Sequence, residues 1–335
     1  MDSLSLKDLL NEYENKRRLA LRNAEEKKAL FMQSHPEIEK IEQEISKSSI
    51  KYSKALIIAS PEEKQKILNE INNNIEELKL RKETLLKKLE INSSYYEPDY
   101  ECKKCKDTGY IIKNNKSEMC SCLKQKIFNL EYNKSNIGNL EKENFQTFSL
   151  EKYSDEINFE KYHANISPRE NIKNIKKICE NFIINFNNPE EKNLLFTGST
   201  GLGKTFLSNC IAFEILKKDK TVLYQTAPVM LDAVIDYRFN KPNANLSIVD
   251  NLLNVDLLII DDLGTETINS LKFTELFNII NTRILNQNHK ITKTIISTNL
   301  SLNNIFSIYE ERLGSRFVGQ YNICRFFGDD IRFMR

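Results

Sequence analysis

The string Gly198-Ser199-Thr200-Gly201-Leu202-Gly203-Lys204-Thr205 constrains this chain more than any other stretch. It is a G-x-x-x-x-G-K-[ST] pattern. It lies between an apolar run, Leu194-Leu195-Phe196, and a helix-forming run that opens at Phe206. Such a string needs a strand to deliver the chain to a loop, and a helix to leave it with free N–H groups aimed at an anion. The glycines let the backbone curl closely around phosphates. Lys204 is placed to reach the β- and γ-phosphates of a nucleotide, and the Thr205 hydroxyl to hold Mg²⁺. A chance glycine-rich turn would not require the lysine, the hydroxyl and both flanking elements together. A nucleotide-binding domain is expected, with residues 198–205 as its phosphate cradle.

A second apolar run, Leu257-Leu258-Ile259-Ile260, ends in Asp261-Asp262. It reads as a buried strand that emerges at the nucleotide. Asp261 is expected in the Mg²⁺ shell, directly or through water, and Asp262 is placed to polarise the attacking water. Many strands end in aspartate; this one gains weight from lying about 55 residues beyond the phosphate loop. A third run, Thr294-Ile295-Ile296-Ser297, leads to Thr298-Asn299. Asn299 would stand between the ends of the other two strands. There it orients the water, touches the γ-phosphate, or merely closes a turn.

Strand-like runs at 193–197, 221–225, 256–260, 293–297 and 321–327 alternate with helical ones. The second to fourth are apolar and β-branched, as buried parallel strands should be. The expected fold class is therefore α/β: a five-stranded, doubly wound parallel sheet with its ligand at the strand C-termini. Ser167-Pro168-Arg169-Glu170 is a capping box, followed by Ile172, Ile175, Ile178, Phe182 and Ile183 at helical spacing.

The first 95 residues contain no glycine and are rich in Glu, Lys, Leu and Ile. Ile38, Ile41, Ile45, Tyr52 and Leu56 recur at helical intervals. So do Ile67, Ile71, Ile75, Leu78, Leu85 and Leu89, after a second capping box at Ser60-Pro61-Glu62-Glu63. This is a helical hairpin or short coiled coil, a module for docking a partner, or both. Then the character changes. Cys102 and Cys105 form a C-x-x-C pair, and Cys120 and Cys122 a C-x-C pair fourteen residues later. Four thiolates can close a tetrahedral Zn²⁺ site with no open position, so a structural metal is expected rather than a catalytic one. Lys106-Asp107-Thr108-Gly109 supplies a tight turn under it. The surrounding lysines are a weak hint of a nucleic-acid face.

The chain carries 49 basic and 47 acidic residues, a net charge of +2, so any nucleic-acid contact must be local. No apolar run approaches the ~20 residues of a membrane helix, and the N-terminus lacks the order of a signal peptide. A cytoplasmic protein with no membrane partner is expected. That also fits clustered cysteines holding metal rather than forming disulfides.

Glu311-Arg312-Leu313-Gly314-Ser315-Arg316-Phe317 places two arginines four apart on one helix face. They are surface charges or fingers reaching a neighbouring subunit's nucleotide. In order, phosphate loop, Asp-Asp strand, Ser-Thr-Asn strand and Arg-Leu-x-Ser-Arg-Phe resemble the AAA+ ATPases. The last motif resembles that of the bacterial initiator and helicase-loader branch. Residues 145–335 resemble the DnaC/DnaI/IstB group, with Phe145-Gln146-Thr147-Phe148 similar to the segment that enters its nucleotide site. The cysteine cluster behind helices is similar to that of DnaI-type replicative helicase loaders.

The resemblance implies three regions: a helical partner-docking region (1–98), a zinc module and linker (99–144), and an AAA+ ATPase domain (145–335). It implies binding and hydrolysis of ATP with Mg²⁺, Arg316 as the finger acting in trans, and Arg312 as its helper at the nucleotide. The implied partners are the hexameric replicative helicase, single-stranded DNA, and further copies of the chain through the ATPase domain. Tyr237, Arg238, Phe239 and Lys241 mark a candidate DNA-facing element. Two departures stand out. Asp262 occupies a position where most AAA+ enzymes carry Glu, so slow, switch-like hydrolysis is expected. The chain runs only about eight residues past 327, which leaves no room for a helical lid, so Arg332 is the candidate to replace the lid's arginine. An IstB-type transposition helper acting on duplex DNA is the alternative. A replication initiator or a small-molecule P-loop kinase would need segments not recognised here.

Overall fold

A glycine-free stretch has little to interrupt a helix, and residues 6–58 and 61–88 form three long ones. The computed structural model describes residues 6–58, 61–92, 94–113, 115–131, 142–242, 244–267, 269–286 and 290–333. Helices α1 (Leu6–Ser34) and α2 (Pro36–Ile58) part at His35, with Pro36 in the first turn of α2, where its missing N–H costs nothing. The third, α3 (Pro61–Lys88), packs along α2. Phe31, Met32, Ile38 and Leu86 form a buried cluster covered by Leu85, Ile91 and Tyr96. Glu42 is bridged by Lys28 and Lys82. Burial alone would raise its carboxyl, but the two lysines hold it below its ordinary value. The Ser60 cap and the side chains of Leu56 and Ile67 lie outside the described residues.

Strands β1 (Tyr110–Lys113) and β2 (Lys116–Met119) form a two-stranded sheet, followed by α4 (Ser121–Glu131). By its contacts the chain divides into two compact units, one through residue 118 and one from residue 119.

The second unit carries α5 (Phe159–Tyr162), α6 (Pro168–Ile184), β3 (Asn193–Thr197), α7 (Lys204–Lys217), β4 (Val222–Thr226), α8 (Ala227–Arg238), α9 (Ile248–Asn254), β5 (Leu257–Leu263), α10 (Ser270–Leu285), β6 (Lys293–Thr298), α11 (Leu302–Ile308), α12 (Glu310–Gln320) and β7 (Tyr321–Arg325). The five strands β3–β7 form one parallel sheet in the order β4-β5-β6-β3-β7. Side chains alternate between its faces. Leu194, Phe196, Tyr224, Ile259 and Ile295 pack with α6 and α7, while Leu195, Leu223, Leu258, Ile260 and Ile296 pack with α8, α10 and α12. The cap on α6 forms as expected, with Ser167 Oγ accepting from the Glu170 N–H at 3.1 Å.

β4 is an edge strand, and α4 covers it. The Gln125 amide donates to Val222 O at 2.9 Å and accepts from Val222 N–H at 2.7 Å, as a neighbouring strand would.

Arg283 is almost wholly buried, and no carboxylate is hydrogen-bonded to it among the described residues. Burial lowers its pKa to about 10. Its guanidinium donates to the carbonyls of Leu252 (2.7 Å), Val255 (3.0 Å) and Lys293 (2.7 Å) and to Thr294 Oγ1 (3.0 Å). It thereby satisfies the C-terminal carbonyls of α9 and ties them to β6. Arg283→Leu strands these acceptors in the core. It is expected to cost about 3–5 kcal/mol, read as a lowered urea midpoint at unchanged slope.

Candidate functional site

β3 is fully buried and ends at Thr197, and the loop 198–203 turns the chain into α7. Gly198 (φ +140°), Gly201 (φ +77°) and Gly203 (φ +88°) hold backbone conformations that side chains rarely adopt. A Cβ on Gly198 would strike the Phe326 carbonyl, one on Gly201 the Asp330 carboxylate, and one on Gly203 the Tyr153 hydroxyl. The loop is thus packed from behind by the chain's own segments. Tyr153 OH donates to Leu202 O at 3.1 Å, and Ile331 N–H to Gly201 O at 2.9 Å. A glycine cradle opening at a helix N-terminus fits an anionic phosphate chain.

Lys204 is buried at its centre. Its ammonium donates to Gly198 O (2.6 Å), Ser199 O (2.8 Å) and Asn299 Oδ1 (2.8 Å), which uses all three N–H groups. Burial lowers its pKa, with Asp261 and Asp262 opposing the shift. Asn299, just after β6, is thus in contact with the loop lysine.

Asp261 is buried among hydroxyls from three elements. Thr205 Oγ1 donates at 3.0 Å from α7 and Tyr224 OH at 2.5 Å from β4, and Ser297 Oγ donates from β6. A threonine and a carboxylate in contact at the mouth of the loop form a donor set of hard oxygens, which suits Mg²⁺. Burial, then Asp261, pushes the Tyr224 hydroxyl well above its ordinary pKa, so it stays a donor.

Asp262 points elsewhere because the backbone changes there. Ile260 pairs with Ile296 and Leu263 with Thr298, so Asp261 and Asp262 together oppose Ser297 in a β-bulge. Asp262 takes the left-handed conformation (φ +55°), which aspartate tolerates better than most residues. Burial, then Asp261, raises its pKa above the ordinary carboxylate value, while Lys204 opposes the rise. A half-buried carboxylate of raised basicity beside the phosphate loop is suited to accept a proton.

Arg312 and Arg316 lie on α12, both exposed, and neither makes an ion pair among the described residues. Arg332 grips Asp330 (Nε to Oδ1, 2.9 Å). Arg238 makes a bidentate pair with the buried Glu275 (2.9 and 3.0 Å), so of the candidate DNA-facing side chains it is already committed; Phe239 is exposed. A cleft of about 630 Å³ adjoins the loop, lined by Gly198, Ser199, Asn299, Tyr162, Arg325 and Phe327 among others.

The Sγ atoms of Cys102, Cys105, Cys120 and Cys122 all lie within 4.8 Å of one another. Tetrahedral ligands about 2.3 Å from a zinc ion would sit slightly closer together, so the four thiols fit such a metal. Asp107 prepares the turn between the first two. Its carboxylate accepts from the Glu101 and Cys102 N–H groups (2.9 and 2.8 Å), and Lys106 and Asp107 both adopt left-handed backbone (φ +52° and +53°).

Sequence reading missed Tyr224 as a partner of Asp261. A hydroxyl on a fully buried strand needs a partner, and that was the available signal. It also missed Glu266, whose carboxylate accepts from Gly264 N–H at 2.9 Å and from Tyr309 OH.

A parallel sheet with this strand order, a phosphate loop after β3, paired acids at the end of β5 and a polar residue after β6, the strand between those two, define a P-loop ATP-binding domain of the AAA+ type. The family model described as "IstB-like ATP binding protein" matches residues 141–314, just over half of the chain, and the chain belongs to that family. The replicative helicase loader DnaC of Escherichia coli (strain K12) is 30% identical over 122 residues, which are 36% of this chain and 48% of that protein. The chromosomal replication initiator protein DnaA of Helicobacter hepaticus is 33% identical over 128 residues, 37% of this chain and 26% of that protein. The chain thus matches about half the length of the DnaC relative. Among solved structures, the DnaC helicase loader aligns at TM-score 0.42 and 23% identity, covering 53% of this chain and 96% of that one. AMPPCP-bound DnaA from Aquifex aeolicus aligns at 0.44 and 22%, covering 57% and 52%.

Proposed function

We propose that this protein is an ATP-dependent loader that binds the replicative helicase and places it on single-stranded DNA. The observation that carries the reading is the pairing of a phosphate-loop site with two exposed arginines on α12 that make no ion pair among the described residues, a surface suited to completing a neighbour's site. In this reading the backbone of Gly198, Ser199, Thr200, Gly201, Leu202 and Gly203 wraps the phosphates, and Lys204 exchanges its carbonyl partners for them. Thr205 and Asp261 would hold Mg²⁺, which supplies neutralisation of phosphate charge when bound. Asp262 takes the proton of the attacking water, Asn299 orients that water or the γ-phosphate, and Arg316, helped by Arg312, reaches the nucleotide of the next copy. Aspartate is one methylene shorter than glutamate, so hydrolysis is slow and suits a switch. The helices and the zinc-bearing cysteine cluster, residues 1–144 in all, grip the helicase, and the ATPase domain from residue 145 assembles with further copies on DNA.

The similarity to a replicative helicase loader supports this reading. The description of the matching family supports the second one, a transposition helper on duplex DNA. One experiment separates them. With ATP, the full-length protein is expected to retain purified replicative helicase on an affinity matrix and to prefer single-stranded over duplex oligonucleotides. Duplex preference without helicase retention overturns the loader.

Asp262→Asn is expected to keep nucleotide affinity while hydrolysis falls about 10²–10⁴-fold. In the parent, hydrolysis should fade on acidification at a pH above the ordinary aspartate value, because the raised pKa returns the proton earlier. The same shift means that ionised Asp262 opposes folding at neutral pH, an effect lost as the pH falls through the raised value. Asp262→Asn removes that charge, so its melting temperature should equal or exceed the parent's. Parent-level hydrolysis by this variant would exclude Asp262 as the base.

A further inference from the structure

We propose that Glu266 and Tyr309 are positioning residues that fix the arginine helix α12 to the carboxylate loop of the same chain. The inference rests on the reading above, in which α12 serves a neighbouring copy.

The connection is short and buried. After the bulge at Asp262, Thr265 Oγ1 donates back to Asp262 O at 2.8 Å, and Gly264 N–H donates to the Glu266 carboxylate at 2.9 Å. The other Glu266 oxygen accepts from Tyr309 OH. Tyr309 is completely buried and is the residue from which α12 starts. Glu266 is itself only 9% exposed. Each oxygen of this nearly buried carboxylate has a donor, so taking away either one strands a buried acceptor and loosens the joint between the two ends.

The joint on the far side is strained and tightly packed. Glu310, the first residue of α12, has φ +60°, a left-handed conformation that glutamate seldom adopts. Gly314 lies so close to the Phe306 ring that a Cβ would overlap it, and a Cβ on Gly264 would overlap Leu300 beside Asn299. Such strain persists only where surrounding contacts over-determine it, and Tyr309 is the polar member of those contacts. Arg312 and Arg316 project from the next turns of α12. Their distance from a neighbour's phosphate is therefore set by the bond between Tyr309 and Glu266, and an ångström of misplacement is expensive in catalysis.

Tyr309→Phe deletes the hydroxyl and keeps the ring. Nucleotide affinity is measured with a fluorescent ATP analogue on dilute full-length protein, and hydrolysis per chain is followed as protein concentration rises. The parent's rate per chain is expected to rise as copies associate; a flat parent profile defeats the assembly reading itself. With a rising parent, Tyr309→Phe should bind the analogue as the parent does yet lose about 10- to 100-fold in rate at high protein concentration. It should add nothing when combined with Arg312→Ala and Arg316→Ala together, because it acts through those two arginines. A parent-like rate, weakened binding by dilute protein, or an additive loss overturns the proposal. If Tyr309→Phe melts early, Glu266 decides. Glu266→Gln can still accept from Gly264 and donate to Tyr309, and should stay near the parent, while Glu266→Ala falls with Arg316→Ala. Equal rates for the two Glu266 variants overturn it.

Discussion

Lys204→Ala is expected to abolish tight nucleotide binding. The ammonium lies at the centre of the loop and holds two of its carbonyls and Asn299. Burial already disfavours its charged form, so an incoming phosphate finds a cation with little competing solvation. Hydrogen bonds to charged groups contribute about 1.5–3 kcal/mol each, and more than one phosphate oxygen is within the reach of such a lysine. Affinity should drop on the order of 100-fold or more, measured by titration calorimetry with ATP. The alanine chain should still fold, because the carbonyls it releases face a loop open to water. Arg316→Ala should behave differently, binding ATP normally as dilute protein and losing only hydrolysis that depends on association. A Lys204→Ala chain still presents Arg316, and an Arg316→Ala chain still binds ATP, so mixtures of the two should regain part of the activity. Weakened ATP binding by dilute Arg316→Ala would place that arginine in its own chain's site.

The strands were legible because burial on both faces writes itself as continuous apolar runs. The phosphate loop was legible because each of its residues answers one local demand of the backbone or the anion. The end of β5 was not. The apolar run stops at Ile260, yet the strand continues to Leu263 through a bulge that depends on the backbone of Asp262 and on Ser297, 35 residues away. Glu266 and Tyr309 were invisible for the same reason: their contact joins positions 43 apart. Arg283 reads as one more helix arginine until α9 and β6 enclose it. Arg238 beside aromatic residues marks a candidate DNA-facing element, and its pairing with a buried glutamate on α10 could not be read from the sequence. Patterns of period two or 3.6 report which face is buried. They carry no information about which polar group waits on that face.

Removing the metal from the cysteine cluster is expected to unfold the segment from 102 to 122. Little else there can hold a fold. β1 and β2 are four residues each, and most of their side chains face water. A two-stranded hairpin without an apolar face is marginal at best. The order around it rests on Asp107 capping the Glu101 and Cys102 amides and on two consecutive left-handed residues, an arrangement that costs free energy unless something holds its ends. Four thiolates on zinc supply apparent binding free energies of about 10–16 kcal/mol at neutral pH, far more than the hairpin's own contacts. Protein purified without chelator should therefore contain one zinc per chain by elemental analysis. Chelation should expose the segment to protease between residues 102 and 122. Cys120→Ser should lose the metal. Cys179→Ser should not, since Cys179 is wholly buried in α6 against the large sheet. Metal-free protein with an intact, protease-resistant segment would show that the four thiols are held by packing alone.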